Sequence, residues 1–184
     1  MRLEADQVLI ILSYGAAFGT GSHPTTHLAL RAIDCALDPL PGGWNGGPCR
    51  ALDVGTGSGV LLLAALRLGM THGIGLDLDP CAVSEARQNA ALNGLSASTQ
   101  YMDAPLHRIE GPFHLVTANL RLPTLIEMAA SLTAMSADDA MLVVSGIREE
   151  ETGALQSHYK AAGWELMWQE MDTGWAGQCY RRRR

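Results

Sequence analysis

Long apolar runs are missing from this 184-residue sequence. Nothing in it reaches the length of a bilayer span, and its first apolar stretch, residues 8–12, is short and follows Glu4 and Asp6 as well as Arg2. A signal peptide needs a longer apolar core behind a cationic start, so residues 8–12 are expected to be an extended strand and no membrane partner is expected. Closely spaced cysteines are missing too. Cys35, Cys49, Cys81 and Cys179 form no C-x-x-C pair and no ligand pattern with the histidines. That argues against a zinc site or a disulfide frame, and suits free thiols in a reducing, cytoplasmic compartment with no metal bound. Positive charge is scarce: the net charge is −6, and the one basic cluster, residues 181–184, reads as a solvated end. A nucleic-acid substrate gripped by a broad basic surface is therefore not expected. Aromatics are few and internal repeats absent, while the apolar content is ordinary. The chain is expected to be one globular domain over residues 1–184.

What the sequence does have is glycine in a telling place. Leu52-Asp53-Val54-Gly55-Thr56-Gly57-Ser58-Gly59-Val60 is a short apolar strand, a glycine turn and the start of an apolar helix. Such a turn lets backbone approach a ligand, and the helix start is expected to offer free amide donors to an anionic group. Asp77 ends the next strand 22 positions after Gly55, a spacing that lets a carboxylate reach a ribose hydroxyl. The ligand is therefore expected to be an adenosine derivative. Dinucleotide sites use G-x-G-x-x-G to hold a pyrophosphate, whereas here the pattern is G-x-G-x-G, with Val60 at the later position and no P-loop lysine. S-adenosylmethionine, which carries a carboxylate and no phosphate, fits this turn better than NAD or ATP.

The remaining elements alternate. Pro24 and its neighbouring hydroxyls open a helix running to about Ala36, and residues 39–48, rich in Gly and Pro, read as a surface connection. Val60 to Leu68 is apolar almost all round, so that helix should be covered on several sides. Asp79 and Pro80 look like the cap and first position of the next helix, which Asn93-Gly94 closes, leaving Asp77 as the ligand candidate. A third strand, residues 98–102, ends in Asp103, and a fourth, residues 114–118, ends in Asn119; both polar ends can face one crevice. Further helices are expected over residues 125–135 and 149–162, with a buried strand at 141–145 between them. Strands at 165–168 and 175–180, joined by Asp172-Thr173-Gly174, should make an edge hairpin. The predicted class is α/β, a Rossmann-like three-layer sandwich: a seven-stranded, mostly parallel sheet with a C-terminal antiparallel hairpin.

With these residues collected, the chain resembles the class I S-adenosylmethionine-dependent methyltransferases, and within them the PrmA family, which methylates a protein of the ribosomal large subunit. The resemblance rests on Ala17-Phe18-Gly19-Thr20-Gly21-Ser22-His23-Pro24-Thr25-Thr26, on Asp53 to Gly59, and on Gly75-Leu76-Asp77-Leu78-Asp79-Pro80. Ala118-Asn119-Leu120, Ser145-Gly146-Ile147 and Trp175 extend it. The first of these segments is the most specific to the family. The resemblance implies S-adenosylmethionine as cofactor, with S-adenosylhomocysteine as product. It implies a cofactor-binding set of Phe18, Thr26, Gly55, Asp77, Asp103 and Asn119, close approach at Gly57, and Asp53 near the methionine amino group. Members of the family carry a separate N-terminal domain that captures the substrate, and this chain is expected to lack it. Two further departures are Asn119-Leu120-Arg121-Leu122 after the fourth strand and Ala137-Asp138-Asp139 where the family has Pro-Gly-Gly.

Methyl transfer from a sulfonium is an in-line displacement, so alignment and a dry pocket matter more than a metal or a covalent nucleophile. Asn119 is the catalytic candidate: its side-chain oxygen can accept a hydrogen bond from an amine and orient the lone pair. His23 reads equally as a base or as part of a helix-entry turn. Trp164 and Trp168 read as packing, and Trp175 as a candidate pocket wall. Asn119 is not followed by the Pro-Pro-aromatic stretch of the adenine and glutamine amide methyltransferases, which again speaks against a nucleic-acid substrate. Three functions remain open: methylation of a ribosomal or other protein at a lysine or amino terminus, methylation of a small amine or peptide, and a non-catalytic cofactor-binding subunit.

Overall fold

The computed structural model describes residues 7–13, 15, 17–37 and 48–183. Most of the connection expected over residues 39–48, and positions 14, 16 and 184, lie outside the described residues. Helix α1 (Pro24–Leu37) is followed by β1 (Arg50–Val54), α2 (Val60–Arg67), β2 (His72–Leu76), α3 (Pro80–Leu92) and β3 (Thr99–Met102). Then come β4 (Phe113–Asn119), α4 (Leu122–Met135), β5 (Ser136–Arg148), α5 (Thr152–Ala161), β6 (Trp164–Asp172) and β7 (Trp175–Arg182). The seven strands form one sheet in the order β3-β2-β1-β4-β5-β7-β6. Strands β1 to β5 pair in parallel, and β7 runs antiparallel between β5 and the edge strand β6. This is the predicted sheet, hairpin included.

Helices cover both faces, as a parallel sheet requires. On one side α1, α2 and α3 bury Ala32, Ile33, Leu62, Leu63 and Ala86; on the other α4 and α5 bury Leu125, Leu132 and Tyr159. The residues of α2 from Val60 to Leu66 are all buried, in keeping with its uniformly apolar sequence. Side chains alternate along β1: Ala51 packs on the α2 side, Leu52 and Val54 on the α4 side. The period of two puts Asp53 under α2. Helix α3 starts where expected, with the Asp79 carboxylate accepting from the Cys81 amide at 2.8 Å and Pro80 in the first turn. The β6–β7 turn places Thr173 and Gly174 at φ 49° and 80°, the twist that suits a tight hairpin.

One predicted element is corrected. Residues 8–12 do not join the sheet. The segment lies instead against α3, where the Asn93 side chain takes the place of a neighbouring strand: its Oδ1 accepts from the Ile11 amide at 2.9 Å and its Nδ2 donates to the Ile11 carbonyl at 2.7 Å.

Candidate active site

The chain passes from β1 outward through β2 and β3, then returns to lay β4 on the other side of β1. Order reverses between β1 and β4, and a crevice opens beyond their carboxyl ends. The glycine turn forms its floor. Gly55, Gly57 and Gly59 all have positive φ, at 72°, 53° and 82°, a region that disfavours other residues. Gly57 is also sterically closed, since a Cβ there would lie 2.4 Å from the Phe18 carbonyl oxygen.

The amides of the turn itself are satisfied within the protein, and of those at the start of α2 the Leu62 amide serves Asp53. Gly55 and Thr56 donate to the Leu76 carbonyl, Gly57 to the Asp77 carboxylate at 2.9 Å, Ser58 to the Phe18 carbonyl and Gly59 to the Thr56 carbonyl. The anion beneath the start of α2 is the protein's own Asp53. Its carboxylate accepts from the Thr56 and Thr117 hydroxyls, both at 2.6 Å, because β1 and β4 pair Asp53 directly with Thr117 on one face. Burial pushes Asp53 up to about 6; the two hydroxyls and the Leu62 amide work against that shift, and the nearby Asp77 charge adds to it. Asp53 is 1% exposed, and its observed part is to tie the turn to β1 and β4.

Asp77 stands at the mouth of a cleft of about 280 Å³ whose walls include Gly55, Leu78, Pro105, Leu106, Leu120 and Met128. Its second oxygen accepts from the Asp79 amide at 3.0 Å. Leu78, at 80% exposure, is a large apolar side chain left uncovered at this rim. Asp103 is exposed at the end of β3, one residue before Ala104, which also lines the cleft. The slot is thus apolar, with a carboxylate at its edge.

Across the crevice, Asn119 Nδ2 donates to the Thr25 hydroxyl at 3.1 Å, and that hydroxyl lies 2.8 Å from His23 Nδ1. The Thr25 amide also donates to Nδ1, at 3.3 Å. With Nδ1 accepting, the Thr25 hydroxyl donates to it and the ring proton sits on Nε2. His23 thus sits in the turn that opens α1, bonded to its first residues, an arrangement compatible with either role. Its ring stands between Phe18 and Trp175, each 5.3 Å away centroid to centroid. The Arg148 guanidinium covers Trp175 at 3.7 Å. Gly146 makes room for Asn119, since a Cβ there would meet its Oδ1 at 2.8 Å. The Thr26 hydroxyl is buried and has no hydrogen-bond partner among the described residues.

Gly55 and Asp77 thus line the cleft with Asp103 beside it, Gly57 packs against the Phe18 carbonyl, Asp53 lies beneath the turn, Asn119 bonds Thr25 next to Thr26, and Trp164 packs in the core with its indole donating to Thr133 at 2.8 Å. Sequence reading missed Thr25, Ser58, Leu78 and Thr117. Thr117 becomes visible only through the register of β1 on β4, which no local pattern encodes. Among the described residues no group of three or more His, Cys, Asp or Glu is placed to hold a metal, and no helix is long and apolar enough to cross a membrane.

This strand order and rim crevice define the Rossmann-like fold of methyltransferases. The chain belongs to the PrmA family, whose model, ribosomal protein L11 methyltransferase (PrmA), matches residues 1–183. It is 41% identical over 176 residues to the ribosomal protein L11 methyltransferase of Geobacter sulfurreducens, covering 96% of this chain and 55% of that protein. The same protein of Geobacter metallireducens is 38% identical over 177 residues, covering 96% and 56%. The chain thus spans about half the length of these curated relatives. Among solved structures, a ribosomal protein L11 methylase from Lactobacillus delbrueckii subsp. bulgaricus matches with TM-score 0.86 and 28% identity, over 100% of this chain and 90% of that one. An RNA methyltransferase from Salinibacter ruber, crystallised with S-adenosylhomocysteine, shares the fold at TM-score 0.63 and 18% identity, over 85% of this chain and 91% of that one.

Proposed function

We propose that this chain is an S-adenosylmethionine-dependent methyltransferase domain that modifies an amine nitrogen of a protein, a lysine side chain or an amino terminus. Ribosomal protein L11, which the relatives' names give as their substrate, is the first candidate acceptor, and a cytoplasmic location goes with it. The observation that carries this reading is an apolar slot with the Asp77 carboxylate in its lining, beside the strand end that bears Asn119.

The residues fit the cofactor. A slot walled by Leu78, Leu106 and Met128 suits a purine face, and a carboxylate at its edge suits a ribose diol. The orphaned Thr26 hydroxyl, buried in the protein, suits a partner from outside it. When bound, S-adenosylmethionine supplies a methyl group made electrophilic by a positively charged sulfur. The chain's own part is alignment. Asp77 fixes the sugar, the glycine turn sets how closely backbone approaches, and Asp53 holds that turn from beneath. The donation from Asn119 Nδ2 to Thr25 leaves Oδ1 to accept an N–H of a neutral amine and direct its lone pair. An amine with a lysine-like pKa near 10.4 costs about 4 to 5 kcal/mol to present neutral at pH 7. An apolar, aromatic-walled pocket lowers that cost by disfavouring the ammonium, through desolvation.

Two measurements test the proposal. Calorimetry with S-adenosylhomocysteine should show Asp77→Ala binding about tenfold to hundredfold more weakly, the worth of hydrogen bonds to a charged group; undiminished binding removes the cofactor assignment. Labelled S-adenosylmethionine should mark L11, and should not mark L11 whose amines have been acetylated. Label on the acetylated protein would overturn the amine.

A further inference from the structure

Helix α3 carries a polar stripe that the glycine turn and Asp77 leave unexplained. Glu85, Asn89 and Asn93 stand at i, i+4 and i+8, so all three share one face. Asn89 is completely buried. Its Oδ1 accepts from the Ser13 amide at 2.7 Å and the Ser13 hydroxyl at 2.9 Å, and its Nδ2 donates to the Ser58 carbonyl at 2.8 Å. Asn93 pairs with both backbone groups of Ile11, and Glu85 accepts from the Ala17 amide at 3.0 Å. Ser58 in turn holds the next stretch of chain: its amide donates to the Phe18 carbonyl at 2.9 Å and its hydroxyl to the Gly19 carbonyl at 2.7 Å.

We infer that Asn89 is a positioning residue, which ties the extended segment before the Phe18 loop to the glycine turn and so fixes where that loop lies over the crevice. Burying an amide side chain completely is unfavourable unless its hydrogen bonds are made, and here they all go to backbone or hydroxyl groups of the turn and the segment. Ser58 is the shared point: one residue touches Asn89 through its carbonyl and the Phe18 loop through its amide and hydroxyl. Displacement of residues 10–13 is therefore passed through Asn89 to the loop that bears Phe18, and Phe18 packs on His23. The sheet plays no part in this link, which accounts for an apolar, strand-like run that pairs with a helix's side chains instead of with a strand.

This inference rests on the cofactor reading for its effect on binding, and on the protein alone for its effect on motion. Ser13→Pro removes both donors to Asn89 Oδ1, the amide and the hydroxyl, and leaves α3 untouched. In the full chain it should speed amide exchange over residues 17–22 while residues 80–92 stay protected, and weaken S-adenosylhomocysteine about tenfold, the net worth of one or two hydrogen bonds. Ser13→Ala keeps the amide donor and should fall between wild type and Ser13→Pro. Asn89→Ala should exceed both, and if it does not fold the two Ser13 variants decide. Unchanged exchange over residues 17–22 overturns the inference. So does a lowered melting temperature with cofactor affinity intact well below it, which would make Asn89 structural only. If wild type itself bound no S-adenosylhomocysteine, the functional reading would fall, and exchange over residues 17–22 would still decide the tether.

Discussion

The two walls of the crevice are assembled in opposite ways. The wall proposed for the cofactor is one continuous turn, residues 53–59, with Asp77 at the end of the adjoining strand. The wall proposed for the acceptor gathers His23, Asn119 and Trp175 from distant parts of the chain, with Phe18, a cofactor candidate, packed on His23. The first is held by backbone and two buried hydroxyls, the second by one hydroxyl and ring contacts. A contiguous turn specifies its own geometry. A wall made of distant pieces depends on every element that carries them.

If the two walls act separately, Asn119→Ala should lower turnover about a hundredfold to a thousandfold, the scale of losing a preorganised polar group at the reacting centre. Affinity for S-adenosylhomocysteine should fall no more than about fivefold, as for one neutral hydrogen bond. Single-turnover transfer and calorimetry measure the two, and an equal collapse of both would show the walls to be one unit.

The cofactor wall also carries a pH signature. Asp53 ionises at 3.8 when unfolded and at about 6 when folded, so between those values the folded state holds the extra proton. Stability from this group is thus greatest at low pH and falls as pH rises through the window. Wild type should lose about 2 kcal/mol relative to Asp53→Asn between pH 4 and pH 7. Urea denaturation at several pH values reads this directly, and parallel curves for the two proteins would show that the carboxyl is not strained.

The smallest effect belongs to a site in neither wall. Asp139 takes up φ 61° and pairs with Arg181 at 3.2 Å. Asp139→Gly relieves a left-handed residue, worth about 1 kcal/mol, and loses a surface ion pair worth somewhat less. The net change in a urea melt should stay within about 0.5 kcal/mol, with affinity and turnover unmoved. A change in either crevice readout would reveal a coupling that the geometry does not suggest.

The same division governs what could be read from the sequence. Strand, turn and helix around Gly55 were legible because their signals are local, as were the Asp79 cap and the β6–β7 hairpin. The place of Asp53 was not, because its partner Thr117 is set by register. The acceptors of the turn's amides were not legible either, because Phe18, Leu76 and Asp77 come from other segments. Residues 8–12 have the composition of a strand, and nothing local shows that the Asn93 side chain would serve as their neighbour, with Asn89 holding Ser13 just beyond.

The row from Asn119 through Thr25 to His23 has a polarity as well as a shape. A hydroxyl has a single hydrogen to give, and Thr25 commits it to the imidazole, so whatever stands at position 119 must offer a hydrogen of its own. An aspartate there would match the outline of asparagine and arrive with nothing to give. Threonine would have to turn round to meet it, abandoning the ring beyond. Isosteres are thus not equivalents at this position: the array distinguishes them by the direction in which hydrogens point.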